Sequence, residues 1–161
     1  MNTICMYTDG SAKGNPGRGG YGTIIVTVGA DGCHSTEEFS AGYAYTTNNR
    51  MELMAVIAGL EKLKEPSRVT VTSDSKYLVD AFNKNWIKNW VRNGWRTSSG
   101  ASVKNTDLWK KLLELQEAHT VRYIWIKGHN NHPMNERCDF LATSAADGES
   151  LLTDLGVIPF M

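Results

Sequence analysis

Residues 4–11 read ICMYTDGS, and the apolar, β-prone strand from Ile4 to Thr8 stops at Asp9. Residues 68–75 read RVTVTSDS, a second strand of the same kind that stops at Asp74. If the two strands are parallel neighbours, both carboxylates emerge at the sheet edge where parallel sheets form their ligand sites. An aspartate after a strand can also be a simple turn former or helix N-cap.

The segments that follow the first strand predict a turn and two further strands. The glycine-rich region 14–22 predicts a turn, and the β-branched run 23–28 predicts a strand. Glycines within that region satisfy G-x-G-x-x-G, but they precede a strand, which excludes a dinucleotide fingerprint. A strand at 33–42 completes a three-strand antiparallel meander.

Apolar residues at helical spacing predict a long helix over 47–64. Further elements are expected at 75–82 (helix), in the Trp-rich stretch that follows it (helix), at about 106–118 (helix), 121–127 (strand) and about 135–146 (helix). The order β-β-β-α-β-α-α-α-β-α indicates an α/β (mixed α+β) protein, with a mixed sheet and helices on its faces. The length of 161 residues predicts a single domain over 1–161.

Composition narrows the class of protein. The chain holds 17 Lys and Arg against 17 Asp and Glu, so its net charge is zero. This balance excludes a uniformly basic nucleic-acid coat protein but is compatible with local charged patches. There is no apolar run of ~18 residues and no signal-peptide pattern. Three widely spaced cysteines favour neither a disulfide framework nor a zinc ribbon, so we expect a cytoplasmic protein without membrane contact.

Two further acids are predicted to face inward. Glu52 starts a helical stripe that continues through Val56 and Gly59, although its spacing from Asn49 also fits a capping box. Asp139 has small residues at i+3 and i+7, a face suited to packing on the sheet. Clustered carboxylates repel, and a shared proton or a divalent cation relieves the repulsion. Oxygen-only ligands select Mg²⁺ or Mn²⁺, and two such ions can assist phosphoryl displacement.

His129 follows the predicted strand 121–127 and is placed to move a proton near such a site. A zinc site from His129, His132 and Cys138 fits no familiar ligand spacing and lacks a fourth ligand.

Six blocks stand in order along the chain: TDGS at 8–11, GNPG at 14–17, TTNNRMEL at 46–53, DS at 74–75, WIKGH at 125–129 and NERCD at 135–139. Together they resemble the type 1 ribonuclease H family, in its bacterial form, from Ile4 to about Ala146. The family's fold, a five-stranded mixed sheet with flanking helices, agrees with the predicted element order.

The resemblance implies an endonuclease that hydrolyses the RNA strand of RNA–DNA hybrids by two-metal-ion catalysis with Mg²⁺, for which Mn²⁺ can substitute. The products would carry 5′-phosphate and 3′-hydroxyl ends. By the same resemblance, His129 assists proton transfer or product release, and the protein is a monomer with no obligate protein partner. The implied metal ligands are Asp9, Glu52, Asp74 and Asp139.

Substrate contacts are predicted in two places. Asn15, Asn48 and Asn49 are short polar groups beside the proposed metals, suited to reading a 2′-hydroxyl. By resemblance, Thr47 and Asn105 bind a phosphate of the DNA strand. The resemblance also points to two departures from the family pattern in substrate contacts, Tyr45 in place of a basic residue and Lys76 in place of glutamine.

The segment 82–105, here called the basic segment, holds five cations and no acid, so the rest of the chain carries −5. Trp86 and Trp90 are four residues apart and share a helical face, with Lys88 between them. Cations interleaved with aromatics suit a phosphate backbone, so these residues are predicted to contact the DNA strand and Trp95 to be structural. The alternative is that the tryptophans belong to the core and the cations are only solvated.

Two other functions fit parts of the pattern. A two-metal nuclease or strand-transfer enzyme that acts on DNA would share the carboxylates, but the Asn48-Asn49 pair and the basic segment favour the hybrid. A hybrid-binding module without catalysis has no electrostatic reason to keep four acids beside a phosphate.

Overall fold

The computed structural model describes residues 1–128 and 131–157. Its five strands are β1 (Asn2–Ala12), β2 (Gly17–Val28), β3 (His34–Thr46), β4 (Ser67–Ser73) and β5 (Thr120–Trp125). Its helices are α1 (Asn48–Lys62), α2 (Lys76–Asn83), α3 (Trp86–Arg92), α4 (Thr106–Gln116) and α5 (Pro133–Ala146). The element order matches the predicted order.

The strands form one mixed sheet in the order β3-β2-β1-β4-β5. β1 pairs antiparallel with β2, and β2 pairs antiparallel with β3. β1 also pairs parallel with β4, which pairs parallel with β5. The expected ribonuclease H-like sheet is therefore confirmed, and β1 is the strand at which antiparallel pairing changes to parallel pairing.

Helices pack on both faces of the sheet, because successive strand residues point to opposite sides. On β2, the Thr23 hydroxyl donates to the Ala55 carbonyl of α1 at 2.6 Å, whereas Gly22 lies against α5. α4 packs against α1. The buried core is aliphatic around one large aromatic, and its fully buried members include Met6, Leu53, Leu60, Val71, Leu78, Trp109 and Leu112.

Two local predictions are wrong. β1 does not stop at Asp9 but continues to Ala12, because its antiparallel pairing with β2 extends to Ala12↔Gly19 after the pairing with β4 has ended. The region 14–22 is a turn only up to Pro16, and the rest belongs to β2. A Cβ at Gly20 or Gly22 would clash with α5 backbone, so these glycines allow close helix packing rather than a turn.

Element boundaries differ elsewhere by a few residues. β3 continues past the predicted end at Gly42, and α5 begins at Pro133 rather than Asn135. β5 ends at Trp125, two residues before the predicted end. No helix in the described ranges has both the length and the apolar character needed to cross a membrane.

Candidate active site

The predicted convergence of carboxylates is confirmed for three of them. Asp9 lies on β1 just beyond the last parallel pair with β4, Tyr7↔Thr72, and Asp74 directly follows β4. Glu52 extends from α1, which packs on β1. One carboxylate oxygen of each residue lies within 4.8 Å of the other two. The parallel pairing of β1 and β4 is what brings the two aspartates to the same edge of the sheet.

The amide of Gly10 joins two of the acids. Its N–H donates to Asp9 Oδ1 and to Glu52 Oε1, both at 3.0 Å. Glu52 is therefore not the capping residue of α1; Thr47 has that role, and its hydroxyl accepts from the Arg50 amide at 3.2 Å. The capping-box alternative for Glu52 is wrong because the N-cap is Thr47 and not Asn49, so the helix begins two residues earlier than that pattern requires.

Burial and the repulsion between neighbouring carboxylates raise the pKa values of Asp9 and Glu52. Burial, followed by the charge of Asp74, raises the pKa of Asp9 to about 8. Burial and the neighbouring charge of Asp9 raise the pKa of Glu52 well above its usual range. Since burial without a counter-charge disfavours the ionised form, Asp9 and Glu52 are both fully ionised at neutral pH only if a cation accompanies them.

The donor set fits a divalent cation. Glu52 Oε2 is buried and has no hydrogen-bond partner among the described residues, although a buried carboxylate oxygen normally has one. All the ligand atoms are carboxylate oxygens, the type preferred by Mg²⁺, Mn²⁺ and Ca²⁺. A buried, unpaired carboxylate oxygen on a residue that approaches two further carboxylates is what a site for a divalent cation provides.

The cluster does not include the fourth predicted metal ligand, Asp139. Asp139 lies on α5, half-buried, and is not among the carboxylates within 4.8 Å of one another. Its charge nevertheless contributes to the raised pKa of Asp9, so it lies close enough to act on the site. His129 falls outside the described residues.

Three residues surround Asp74, and of these only Lys76 was singled out from the sequence, as a departure from the family pattern in a substrate contact. The Trp125 indole N–H donates to the Asp74 backbone carbonyl at 3.0 Å, which fixes the end of β4. The Lys76 ammonium lies over the Trp125 ring, 4.8 Å from its centroid. A Cβ at Gly128 would come within 2.7 Å of Asp74 Oδ2, so a larger residue there would displace the carboxylate.

The polar residues before and within α1 form a connected group. The Asn48 amide donates to Asn15 Oδ1 at 3.0 Å, and the Ala12 amide donates to Asn48 Oδ1 at 3.3 Å. Asn15, Asn48 and Asn49 are exposed and Thr47 is half-buried. The loop after β1 is thus held against the start of α1, a few residues from Glu52.

Arg50 is the hub of a network that the sequence analysis did not foresee. Its side chain is only 3% exposed and forms two bonds to Asp154, Nε to Oδ2 at 2.7 Å and Nη2 to Oδ1 at 3.0 Å. It also binds both oxygens of Asp107, and its Nη1 donates to Asn105 Oδ1 at 3.3 Å. Asn105 in turn donates to the Tyr77 hydroxyl at 3.1 Å. The predicted phosphate contacts Thr47 and Asn105 are therefore linked through Arg50.

Asp154 belongs to a segment that returns along β3. The Leu152 amide donates to the Gly42 carbonyl at 2.8 Å, and the Ala44 amide donates to the Leu152 carbonyl at 3.0 Å. Asp154 itself accepts from the Thr46 hydroxyl at 2.7 Å. This segment fixes the carboxylate that neutralises Arg50.

The basic segment contains α3 and mixes exposed with packed aromatics. Trp86 is 37% exposed and Lys88 is exposed. Trp90 is half-buried against Trp109, with ring centroids 5.6 Å apart. Trp95 is half-buried against the core, as expected of a structural residue. The two predicted DNA contacts differ, because Trp86 projects outward while Trp90 also supports the core.

This combination of a mixed sheet and an oxygen-only cation site is that of nucleases with the ribonuclease H-like fold. The RNase H family model matches residues 1–147. A ribonuclease H of Lachnoclostridium phytofermentans is 53% identical over 152 residues, which covers 94% of this chain and 96% of the relative. A ribonuclease H of Pseudoalteromonas atlantica is 53% identical over 156 residues, 97% of this chain and 98% of the relative.

Solved structures of type 1 ribonucleases H are similar to this chain. The crystal structure of LC9-RNase H1, a type 1 RNase H with the type 2 active-site motif, superposes with a TM-score of 0.81 at 31% identity, covering 92% of this chain and 74% of that one. LC11-RNase H1 in complex with an RNA/DNA hybrid gives 0.60 at 25% identity, covering 90% and 97%. The chain belongs to the RNase H family: it is a ribonuclease H, which cleaves the RNA of RNA/DNA hybrids.

Proposed function

We propose that cleavage is endonucleolytic and depends on two Mg²⁺ ions held by Asp9, Glu52, Asp74 and Asp139, with Mn²⁺ as a possible substitute. When bound, the ions neutralise the carboxylates and stabilise charge on the attacking and leaving oxygens of the phosphodiester. The products carry 5′-phosphate and 3′-hydroxyl ends. The observation that carries this proposal is the approach of three carboxylates to within 4.8 Å, with Glu52 Oε2 buried and unpaired among the described residues.

The residues of the chain have separate tasks in this proposal. The Gly10 amide orients Asp9 and Glu52, and burial keeps competing water from these two acids. Asp139, on α5, completes the ligand set when cations are present. His129 accepts or delivers a proton, because an imidazole titrates near neutral pH.

Substrate recognition is proposed along one side of the site. Asn15, Asn48 and Asn49 lie beside Glu52 and read the 2′-hydroxyls of the RNA strand, which distinguish it from DNA. Thr47 and Asn105 hold a phosphate of the DNA strand, supported by their common link to Arg50. Trp86, Lys88 and Trp90 of the basic segment contact the same strand further along.

We further propose that residues 1–161 act as one domain, with 82–105 as a basic protrusion, and that the enzyme works in the cytoplasm without an obligate protein partner. The three cysteines, Cys5, Cys33 and Cys138, are all free. Free thiols are typical of a reducing compartment.

The test compares a labelled RNA–DNA hybrid with duplex DNA and duplex RNA of the same sequence, each with Mg²⁺, with Mn²⁺ and with EDTA. Cleavage of the hybrid RNA alone, abolished by EDTA, is the expected result. Mapping the product ends by their response to phosphatase and to a 3′-end ligase checks the direction of cleavage. Activity in EDTA, or 3′-phosphate ends, would contradict the proposed chemistry.

A second measurement separates the metal site from substrate binding. Asp74→Asn removes a charged ligand and leaves the basic segment intact, so hybrid cleavage should be lost while hybrid binding persists. Lys64→Gln, an exposed change remote from the site, is the control. Turnover near the wild-type value in Asp74→Asn would remove Asp74 from the ligand set.

A further inference from the structure

One face of the parallel half of the sheet is open in the described structure. α5 packs on β1, β2 and β3, whereas on the β4–β5 half the side chains of Arg68, Thr120 and Arg122 are exposed. The strand register arranges this face in rows. Thr3, Arg68 and Thr120 form one row, and Thr70 and Arg122 fall in the next. The result is a polar surface built from three parallel strands.

These side chains line a cleft of about 350 Å³ that contains two arginines and three threonines. Among the described residues, no acidic side chain lines the cleft. Neither Arg68 nor Arg122 has a carboxylate within 4.0 Å in the part of the chain that is described. In a protein with zero net charge, two unpaired guanidinium groups on adjacent strands create a local site for anions.

One hydrogen bond holds the Arg122 side chain in an orientation suited to binding an anion. Arg122 Nε donates to the Thr70 hydroxyl at 3.0 Å, which leaves the terminal nitrogens of the guanidinium group as donors. Guanidinium groups pair with phosphate oxygens through two parallel hydrogen bonds, which makes phosphate the anion of best fit. Hydroxyl groups of Thr3 and Thr120 add neutral donors on either side.

Strand β4, which carries part of the cleft, leads toward the active-site edge. Residues 68, 70 and 72 of β4 share one face, and the strand leads directly to Asp74. The row nearest the site contains Thr72 and Ile124, and Ile124 is 41% exposed. Six residues of strand separate Arg68 from Asp74, or roughly 20 Å. Exposed apolar surface between a phosphate site and a nuclease site suits an unpaired base, which needs a contact for its flat face.

We propose that this open face, here called the β4–β5 face, binds the phosphates of a single-stranded extension of the substrate that leaves the active site along β4. A stacked strand covers roughly 20 Å in about six nucleotides. The enzyme would then bind a hybrid with such an extension more tightly than a flush hybrid of the same sequence. This inference adds a second contact to the established hybrid substrate.

The experiment measures binding of three substrates in EDTA: a flush hybrid and hybrids with an extension of about eight nucleotides on the 5′ or the 3′ end of the RNA strand. Two added phosphate contacts should steepen the dependence of log affinity on log salt by about 1.4 for one of the extended hybrids. Between about 50 and about 200 mM salt, that slope corresponds to an additional loss of affinity of about seven-fold.

Arg68→Gln/Arg122→Gln should abolish the difference between that extended hybrid and the flush one. Arg68→Lys/Arg122→Lys keeps both charges and should retain most of the difference, while Lys64→Gln/Lys111→Gln removes two exposed charges elsewhere and should retain all of it. Thermal unfolding of each variant establishes that it is folded. Equal salt slopes for all three substrates with the wild-type enzyme, or a difference that survives the double glutamine variant, would overturn the proposal. Competition by inorganic phosphate alone, without any effect of an extension, would reduce the face to a site for free anions and overturn it equally.

Discussion

Replacement of Asp154 by alanine should destabilise the protein strongly, although Asp154 is not one of the clustered carboxylates Asp9, Glu52 and Asp74. The substitution removes two hydrogen bonds to Arg50, one to the Thr46 hydroxyl and one to the Gly156 amide. Asp154 is 1% exposed and Arg50 is 3% exposed, so water cannot replace the lost partner. Breaking a buried ion pair by removing one side costs about 3–5 kcal/mol.

The lower end of that range applies, because Arg50 keeps its contact with Asp107. We therefore expect a loss of about 3 kcal/mol in the free energy of unfolding, equivalent to a fall of about 6–12 °C in Tm for a chain of this length. Urea unfolding should give a lower midpoint with an unchanged slope, since the folded state keeps its compactness.

Asp107→Ala is the matched control, because it removes the other carboxylate from the same guanidinium group. The Asp107 side chain is 52% exposed, and exposed pairs contribute about 0–1 kcal/mol. If Asp107→Ala proves as damaging as Asp154→Ala, or if Asp154→Ala costs less than about 1 kcal/mol, burial is not what gives the network its strength.

Three further outcomes follow from the site and the basic segment. Gly128→Ala should lower kcat more than KM and leave Tm nearly unchanged, because the added methyl group displaces a carboxylate at the surface of the site; an unchanged kcat would contradict this. In EDTA, the stability of the protein should fall as pH rises from about 4 to about 8, because folded Asp9 and Glu52 still hold protons that the unfolded chain has released; Mg²⁺ should remove that trend, and a metal-free protein that gains stability over this range would refute the explanation. Trp86→Ala should weaken hybrid binding by about 1–3 kcal/mol with little change in Tm, whereas Trp90→Ala should lower Tm as well; equal effects on stability would show that both rings pack alike.

The convergence of Asp9 and Asp74 could be predicted from the sequence because it follows from the geometry of parallel strands. Two adjacent parallel strands that each carry an aspartate just beyond their last paired residues must present both acids at one edge, and the parallel pairing of β1 with β4, which ends at Tyr7↔Thr72, meets that condition. The inward face of Glu52 followed from helical periodicity. Both inferences use local patterns that one element carries by itself.

The errors and omissions arise where long-range packing decides. Gly20 and Gly22 have turn-forming composition, yet α5 covers them, and nothing within region 14–22 indicates that contact. Arg50 meets Asp154 across 104 residues of sequence, and no motif spacing connects an arginine of a helix with an aspartate of an irregular segment. Gly128 had no visible role until the position of Asp74 was known.

The first turns of α1 have a consequence for how the enzyme can diversify. Thr47, Arg50 and Glu52 belong to one rigid stretch of backbone, so the proposed phosphate contact, the ion-pair hub and the proposed metal ligand move as a single body. A substitution that tilts this stretch alters affinity and turnover together. Independent adjustment of substrate preference must therefore arise at side chains that do not bond to α1, such as the exposed Trp86 and Lys88 of α3, and such positions are where we expect homologous enzymes to differ in the hybrids they favour.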